Sequence, residues 1–191
     1  MKKVIIIGAS GSLAPYVINA IEQVKDVELT LFARSKKRLP ENAAAKHHVI
    51  EGDATNYPAV KVAVAGQDVV YVNLAGNLEV MTGNIVKAMQ ETGVKRIIAI
   101  SSIGIYEKPL RSILIPYRKL ADIIEGSGLD YTILRPDWFT SGNEVDYILT
   151  VKGEPKTGTA ISRRSIAAFV ATLIESPELH NRENLGISKP D

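Results

Sequence analysis

The chain has 191 residues, which suits one domain with a sizeable core, and 46% of them are apolar, too many for a disordered chain. No apolar run approaches the roughly 20 residues that span a bilayer, and a net charge of +2 without a long basic run argues against nucleic-acid binding. The absence of cysteine excludes disulfides and thiol chemistry, and three histidines make a poor ligand set, so no metal site is predicted. We therefore expect a soluble cytoplasmic protein that contacts neither membrane nor nucleic acid.

Short β-branched runs alternate with longer amphipathic runs along the chain. The short runs predict strands at residues 4–7, 27–32, 49–50, 69–72, 97–100 and 131–134. The amphipathic runs predict helices at residues 13–24, 58–64, 78–92, 117–125 and 165–175, the last with Ser162 as its cap. Residues 145–151 are predicted to form a short lid, and a final strand is expected after the last helix.

This alternation predicts a single α/β domain over residues 1–191, with a doubly wound parallel sheet in three αβα layers, the Rossmann fold. The strand runs are apolar throughout, as expected when helices cover both faces of the sheet. Ligands of such sheets bind beyond the carboxyl ends of the strands, near the point where the strand order reverses. A small substrate-side region is expected at about residues 136–160.

A glycine-rich loop follows the first predicted strand and opens the first predicted helix. Gly8 allows the tight turn, Gly11 lets the backbone approach a pyrophosphate, and Ala14 lets helix and strand pack closely. The free N–H groups at the start of the helix then face the phosphates. A glycine turn without a ligand is the alternative, but the strand before and the helix after favour a dinucleotide site. The predicted phosphate-binding residues are Gly8, Ser10, Gly11, Ser12 and Leu13.

The end of the second strand bears on which dinucleotide binds. An acidic residue here would bind the ribose 2′-OH of NAD, but the sequence has Ala33, Arg34, Ser35 and Lys36 instead. The planar guanidinium of Arg34 suits a 2′-phosphate, and Ser35 and Lys36 could assist. We therefore predict that NADP(H) is preferred and NAD(H) possible, while Lys37 and Arg38 are interpreted as a solvated loop face.

Several motifs together carry a family resemblance over nearly the whole chain. They are Ile7-Gly8-Ala9-Ser10-Gly11, Gly52-Asp53-Ala54, Asn73-Leu74-Ala75-Gly76, Gly93-Val94-Lys95-Arg96-Ile97-Ile98 leading into Ser101-Ser102, and Ser127-Gly128-Leu129-Asp130-Tyr131-Thr132-Ile133-Leu134-Arg135-Pro136. With these motifs the sequence resembles the atypical short-chain dehydrogenase/reductases, in particular the small NmrA-like NAD(P)-binding proteins.

The resemblance implies roles for residues at matching positions. Asp53 and Ala54 would contact the adenine, and Leu74, Ala75 and Gly76 would line the adenosine ribose and the pyrophosphate. Ser101 and Ser102 would lie by the nicotinamide ribose. Pro136, Trp138 and Phe139 would flank the nicotinamide and the substrate cleft, although core packing explains the two aromatic side chains equally well.

The sequence departs from this family at its catalytic triad. Active members of the larger family use a serine with a tyrosine and a lysine four residues apart on one helix face. Ser102 fits the serine position, but the helix offers Tyr117 and Lys119, which are two residues apart. These three are the candidate catalytic residues, and Lys119 is also a candidate cofactor contact. Asp137 is a second departure, which would either repel anions at the substrate mouth or cap a turn.

Two functions remain open at this point. The first is an NADP(H)-binding oxidoreductase that reduces a planar small-molecule acceptor such as a flavin or quinone, which needs little help from an acid. The second is a non-catalytic regulator that reports the NADP(H) redox state. A sugar-nucleotide isomerase or epimerase is disfavoured, because only about 55 residues follow Pro136. Nothing in the sequence indicates a homo-oligomer or excludes one.

Overall fold

The structure, a computed structural model, describes all residues from Met1 to Asp191. Its strands are β1 (Lys2–Ile7), β2 (Val27–Ala33), β3 (His48–Glu51), β4 (Val69–Val72), β5 (Arg96–Ile100), β6 (Asp130–Pro136), β7 (Phe139–Thr140), β8 (Ile148–Val151), β9 (Ile161–Ser162) and β10 (Glu183–Ser188). Its α-helices are α1 (Ala14–Ile21), α2 (Glu41–Lys46), α3 (Tyr57–Val64), α4 (Leu78–Thr92), α5 (Ile115–Glu125) and α6 (Arg163–Glu175). Two single 3₁₀ turns, Lys36–Arg38 and Ser112–Leu114, complete the regular structure.

The main sheet has eight strands in the order β3-β2-β1-β4-β5-β6-β10-β8. All neighbouring strands are parallel except β10 and β8, which are antiparallel. The strand order reverses between β1 and β4, so the topological switch point lies where these two strands end. The predicted doubly wound α/β fold is confirmed.

Helices cover both faces of the sheet, which explains why the central strands are apolar on both sides. One buried cluster joins α1, α2 and α6 to the sheet, and a second joins α3, α4 and α5 to the opposite face. Helix α4 has the predicted bounds and ends at Gly93, which adopts a left-handed conformation with φ 77°. Ser162 caps α6 as predicted, because its side chain accepts a hydrogen bond from the Ser165 N–H.

The structure differs from the sequence prediction in four short elements, β7, β8, β9 and α2. The lid predicted at residues 145–151 is wrong, because β8 pairs with β10 and extends the main sheet by one edge strand. Helix α2 was not predicted, since only Ala43 of its six residues is buried and no apolar period marks it. The two-residue strands β7 and β9, which pair with each other in parallel, also lack a sequence signal.

No helix in the structure combines the length and apolar character needed to cross a membrane.

Candidate functional site

A cleft of about 430 Å³ opens where β1 and β4 end, and we call it the switch-point cleft. Most of its walls are the loops that follow β1, β2, β3 and β4. The lining residues are Gly8, Ser10, Gly11, Phe32, Ala33, Arg34, Arg38, Gly52, Asp53, Ala54, Thr55, Asn73, Leu74, Ala75, Gly76, Asn77 and Met81.

Gly8 holds the floor of this cleft in a conformation that requires glycine. Its φ is +99°, and an added Cβ would lie 2.0 Å from the carbonyl oxygen of Asn73. The N–H groups of Gly8 and Ala9 both donate to the carbonyl of Phe32, each at 3.2 Å. The loop after β1 is therefore fixed against the ends of both β2 and β4.

Gly11 is different, because the fold itself does not require a glycine there. An added Cβ would lie 3.4 Å from both the Asn73 side-chain amide and the Gly8 carbonyl oxygen, an ordinary van der Waals distance. The space that this glycine leaves open faces the cleft. A ligand that approaches the backbone closely at this point would explain why the residue is a glycine.

Three backbone N–H groups at the start of α1 donate no hydrogen bond within the protein. They belong to Ser10, Ser12 and Leu13, and they precede a first turn that also contains Pro15. Free N–H groups at a helix N-terminus, together with the helix dipole, favour an anion. The donor set therefore fits the pyrophosphate of a dinucleotide.

Two guanidinium groups, those of Arg34 and Arg38, line the same wall of the switch-point cleft. Neither forms an ion pair or a side-chain hydrogen bond with the protein. Interpreting Arg38 as a solvated loop residue was incomplete, because the 3₁₀ turn Lys36–Arg38 brings it back to the cleft. Ser35 precedes that turn and does not line the cleft.

Asp53 lies on the wall formed by the loop after β3, and it is already engaged by its own loop. Its Oδ1 accepts hydrogen bonds from the N–H and the hydroxyl of Thr55, both at 2.8 Å. These bonds, and to a smaller extent the charge of Arg34, lower the pKa of the Asp53 carboxyl. The carboxylate is thus charged at neutral pH, with Oδ2 free to accept a bond from an adenine amino group.

A second cleft, of about 580 Å³, opens where β5 and β6 end, and we call it the β5–β6 cleft. It shares Gly11, Asn73, Leu74 and Ala75 with the switch-point cleft, so the two clefts adjoin one another. Its lining residues are Gly11, Ser12, Leu13, Asn73, Leu74, Ala75, Ile100, Ser101, Ser102, Ile103, Arg111, Ile113, Leu114, Tyr117, Pro136, Asp137, Trp138, Phe139 and Arg163.

The two serines after β5 both line this cleft, but in different environments. Ser101 is buried, and its hydroxyl donates to the Tyr117 carbonyl at 3.0 Å, which ties β5 to α5. Ser102 is half-buried, and its hydroxyl donates to the Ile103 carbonyl at 3.1 Å. Because a local turn bond is easily exchanged for a ligand bond, Ser102 is the better placed of the two to contact one.

The structure does not bring a tyrosine and a lysine together at the cleft. Tyr117 lines the cleft, and its hydroxyl has no hydrogen-bond partner. The ammonium of Lys119 instead contacts Glu79 on α4 at 3.1 Å, and Lys119 lines neither cleft. The neighbouring Arg118 is bound to Asp122 one turn along the helix, at 2.8 Å. The predicted roles of Lys119, catalytic and cofactor-binding, are therefore not supported by its position.

Trp138 is 74% exposed at the rim of the β5–β6 cleft, so packing in the core does not explain it. Phe139 is half-buried and packs partly against the core, while Pro136 is buried at the base of the cleft. Asp137 is 3% exposed, and its two carboxylate oxygens contact the Trp138 N–H at 2.7 Å and the Lys156 ammonium at 2.5 Å. Its charge is therefore compensated inside the protein.

Several lining residues of the β5–β6 cleft were not predicted from the sequence, and four of them lie before or at the start of a helix. Arg111, Ile113 and Leu114 precede α5, and Arg163 is the first residue of α6. No strand end or glycine motif marks these positions, because their side chains reach the cleft from helix starts that are distant in sequence.

Comparison with known proteins identifies the same kind of site. A family described as NAD(P)H-binding matches residues 8–177. A Rossmann-fold NAD(P)-binding family protein from Shigella flexneri is 43% identical, with a TM-score of 0.91, over 100% of this chain and 94% of that one. A short-chain dehydrogenase/reductase from Veillonella parvula, solved in complex with NADP, is 26% identical, with a TM-score of 0.87, over 99% of this chain and 95% of that one.

An anaerobillin reductase from Escherichia coli O157:H7 shares the fold, with a TM-score of 0.85 and 17% identity over 100% of this chain and 98% of that one. The match of the NAD(P)H-binding family covers every lining residue of both clefts and six of the eight strands of the main sheet. The resemblance to short-chain dehydrogenase/reductases is likewise supported by the Veillonella structure. The chain therefore belongs to the NAD(P)H-binding family of Rossmann-fold proteins.

Proposed function

We propose that the protein is an NADPH-dependent reductase whose acceptor is a planar small molecule such as a flavin or a quinone. One observation carries this proposal: the switch-point cleft adjoins the β5–β6 cleft, because Gly11, Asn73, Leu74 and Ala75 line both. A dinucleotide with its diphosphate at the start of α1 would place its nicotinamide at the ends of β5 and β6. The apolar half of the β5–β6 cleft then lies beside the reactive end of the cofactor.

The residues of the chain bind and orient more than they transfer protons. The bound cofactor would supply a hydride, and the acceptor would take up one further proton from water, giving NADP⁺ and the two-electron-reduced acceptor. Ser102 and Tyr117 offer hydroxyl groups that can orient the acceptor or the nicotinamide ribose. Quinones and flavins accept a hydride without strong acid assistance, so the missing tyrosine–lysine pair does not prevent this reaction.

Preference for NADPH over NADH belongs to the same proposal. Arg34 and Arg38 are free to bind a 2′-phosphate, and the end of β2 has no carboxylate that would bind the NAD ribose. The Veillonella relative, solved with NADP, supports this preference. Asp53 and Ala54 would contact the adenine, as the family resemblance implies.

Consumption of NADPH with a panel of flavins and quinones tests the reaction. We expect NADPH absorbance at 340 nm to fall only when both protein and acceptor are present, with the reduced acceptor formed in equal amount. The protein with Gly8 and Gly11 both changed to Ala is not a clean control, because Gly8 also supports the fold. The single variant Gly11→Ala serves instead, and it should lower the rate at subsaturating NADPH.

A non-catalytic NADP(H) sensor is the second candidate, and the absence of a lysine from the β5–β6 cleft favours it. The two functions differ in a measurable way. A sensor should bind NADP⁺ and NADPH with different affinities and should oxidise NADPH with none of the acceptors. A reductase should oxidise NADPH with at least one acceptor, so the rate assay separates the two functions, and the titration tests whether the protein can act as a sensor.

A further inference from the structure

We propose that the acceptor of this reductase carries an oxyanion, a phosphate or a carboxylate, which Arg111 and Arg163 bind at the β5–β6 cleft. This inference rests on the proposed reductase function and specifies its substrate class. It is carried by the charges that line the cleft, by the geometry of Arg163 and by the exposed apolar side chains beside it.

The charged side chains that line the β5–β6 cleft are two arginines and one aspartate. Asp137 is paired with Lys156 at 2.5 Å, so its negative charge is compensated within the protein. Arg111 and Arg163 have no carboxylate partner anywhere in the structure. The cleft therefore has two uncompensated positive charges, which attract an anion and repel a cation.

The guanidinium of Arg163 is held in place before any ligand binds. Its Nη1 donates to the Thr140 carbonyl at 3.2 Å, and its Cζ lies 5.3 Å from the centre of the Phe139 ring. Its Nε is buried and has no hydrogen-bond partner in the protein. A fixed guanidinium loses less side-chain entropy when it binds an oxyanion, and its planar donor set matches phosphate and carboxylate.

Beside these charges the cleft presents apolar side chains to solvent. Trp138 is 74% exposed and Ile113 is 68% exposed, and both line the β5–β6 cleft. Exposed apolar side chains grouped at one cleft indicate a ligand surface. The acceptor that fits both features has an apolar ring system and an anionic substituent at its edge.

The phosphates of the cofactor do not account for the two arginines. Arg111 and Arg163 line the β5–β6 cleft and not the switch-point cleft. The diphosphate already has donors at the start of α1, where the two clefts adjoin: the free N–H groups of Ser10, Ser12 and Leu13. Arg34 and Arg38 line the switch-point cleft and are available to a 2′-phosphate. The dinucleotide therefore has its own set of donors. The two cleft arginines remain available for the second substrate.

Two flavins with the same ring system provide the test. FMN and riboflavin differ by one phosphate, and their binding can be followed by quenching of flavin fluorescence without any turnover. Saturating NADP⁺ keeps the phosphate-binding loop occupied during the titration. We expect FMN to bind about tenfold more tightly than riboflavin at low salt, with the difference shrinking as salt rises.

Variants locate the effect at the two arginines. Arg163→Gln and Arg111→Gln should each weaken FMN binding and leave riboflavin binding unchanged. Arg164→Gln is the matched control, because Arg164 is exposed on the same helix and lines neither cleft. If Arg163→Gln perturbs folding through the loss of its Thr140 bond, Arg111 still tests the proposal, since its side chain forms no hydrogen bond in the protein.

A second pair of ligands separates carboxylate from phosphate. Anthraquinone-2-carboxylate and its methyl ester share one ring system and differ in charge. Preference for the carboxylate but not for FMN would identify a carboxylated acceptor, and the opposite result would identify a phosphorylated one. Equal affinity within both pairs, including no binding of any ligand, would overturn the inference. Failure of the reductase function would appear separately, as no NADPH oxidation with any acceptor despite an intact FMN preference.

Discussion

The two clefts lie side by side at one edge of the sheet, but they are built from different parts of the polypeptide. The switch-point cleft owes its phosphate-binding character to backbone: a glycine with positive φ, free N–H groups and the start of a helix. The β5–β6 cleft owes its character to side chains, among them Trp138, Ile113, Arg111 and Arg163. Backbone donors would bind the diphosphate that NADPH and NADH share, whereas side chains select by shape and charge. The selecting side chains are Arg34 and Arg38 in the first cleft and those of the β5–β6 cleft in the second.

This difference has a consequence for what substitutions can change. The switch-point cleft contains a glycine on which the fold also depends. This is Gly8, whose backbone lies so close to the Asn73 carbonyl that no side chain fits there. The β5–β6 cleft can change its specificity through exposed side chains that stabilise little. We therefore expect a large loss of stability where a glycine supports the fold, as at Gly8, and effects confined to ligand binding for Gly11 and for the side chains of both clefts.

The largest effect is expected for Gly8→Ala. The new Cβ would meet the Asn73 carbonyl oxygen at 2.0 Å in a backbone conformation with φ +99°, so the variant should lose about 3 kcal/mol or more of its free energy of unfolding. Urea unfolding followed by circular dichroism measures this. Gly76→Ala is the control, since its φ is +101° but nothing lies within 4 Å of the added Cβ; it should cost about 1 kcal/mol. Equal losses in the two variants would show that the contact with Asn73 is unimportant.

Next in size is the effect on cofactor choice. The double variant Arg34→Ala/Arg38→Ala should weaken NADPH binding about 100-fold, because charge-assisted bonds to the 2′-phosphate are lost, and should leave NADH binding nearly unchanged. Titration by nicotinamide fluorescence measures both affinities, and Lys37→Ala, a neighbouring exposed residue outside the cleft, is the control. If wild-type protein binds NADPH and NADH equally, the 2′-phosphate role of these arginines is contradicted.

Gly11→Ala should separate binding from folding. Its Cβ has room beside Asn73, so the free energy of unfolding should change by less than about 1 kcal/mol. The same methyl group would intrude on the bound pyrophosphate, so NADPH should bind about tenfold more weakly. A variant that binds NADPH normally would show that the diphosphate lies elsewhere.

The smallest effect is expected for Lys119→Ala. Its exposed ion pair with Glu79 is worth about 0 to 1 kcal/mol, and its ammonium lies outside both clefts, so rate and cofactor affinity should stay within about twofold of wild type. Tyr117→Phe is the informative comparison, because Tyr117 lines the β5–β6 cleft. If Lys119→Ala lost activity while its stability stayed unchanged, Lys119 would have a catalytic role after all.

The sequence predicted the switch-point cleft well because its determinants are local. A glycine loop between a strand and a helix, and a basic residue at the end of β2, are read from adjacent positions, and the structure brings Gly8, Gly11, Arg34 and Asp53 to one cleft. The order of strands and helices was predictable for the same reason, because the spacing of apolar residues and the length of each run distinguish the long helices from the strands.

The β5–β6 cleft could be predicted only in part. Residues after strand ends, such as Ser102 and Trp138, were identified, but Arg111 lies in the loop before α5 and Arg163 at the start of α6, where no motif marks a ligand site. The role expected of Lys119 depended on its spacing from Tyr117 along α5, but its ammonium contacts Glu79 on α4, a contact that is not local in sequence. Pairing of β8 with β10 is equally non-local, which is why this segment was taken for a lid.

The contact between Gly8 and the Asn73 carbonyl also bears on how fast the cofactor exchanges. Because the loops after β1 and β4 already touch through their backbones, the phosphate site exists before the ligand arrives. Binding then pays little entropy for ordering these loops, so affinity comes from preorganisation. We therefore expect the cofactor to associate at close to the rate of an ordinary diffusional encounter. Its residence time should be set by dissociation itself and not by a rearrangement of the loops.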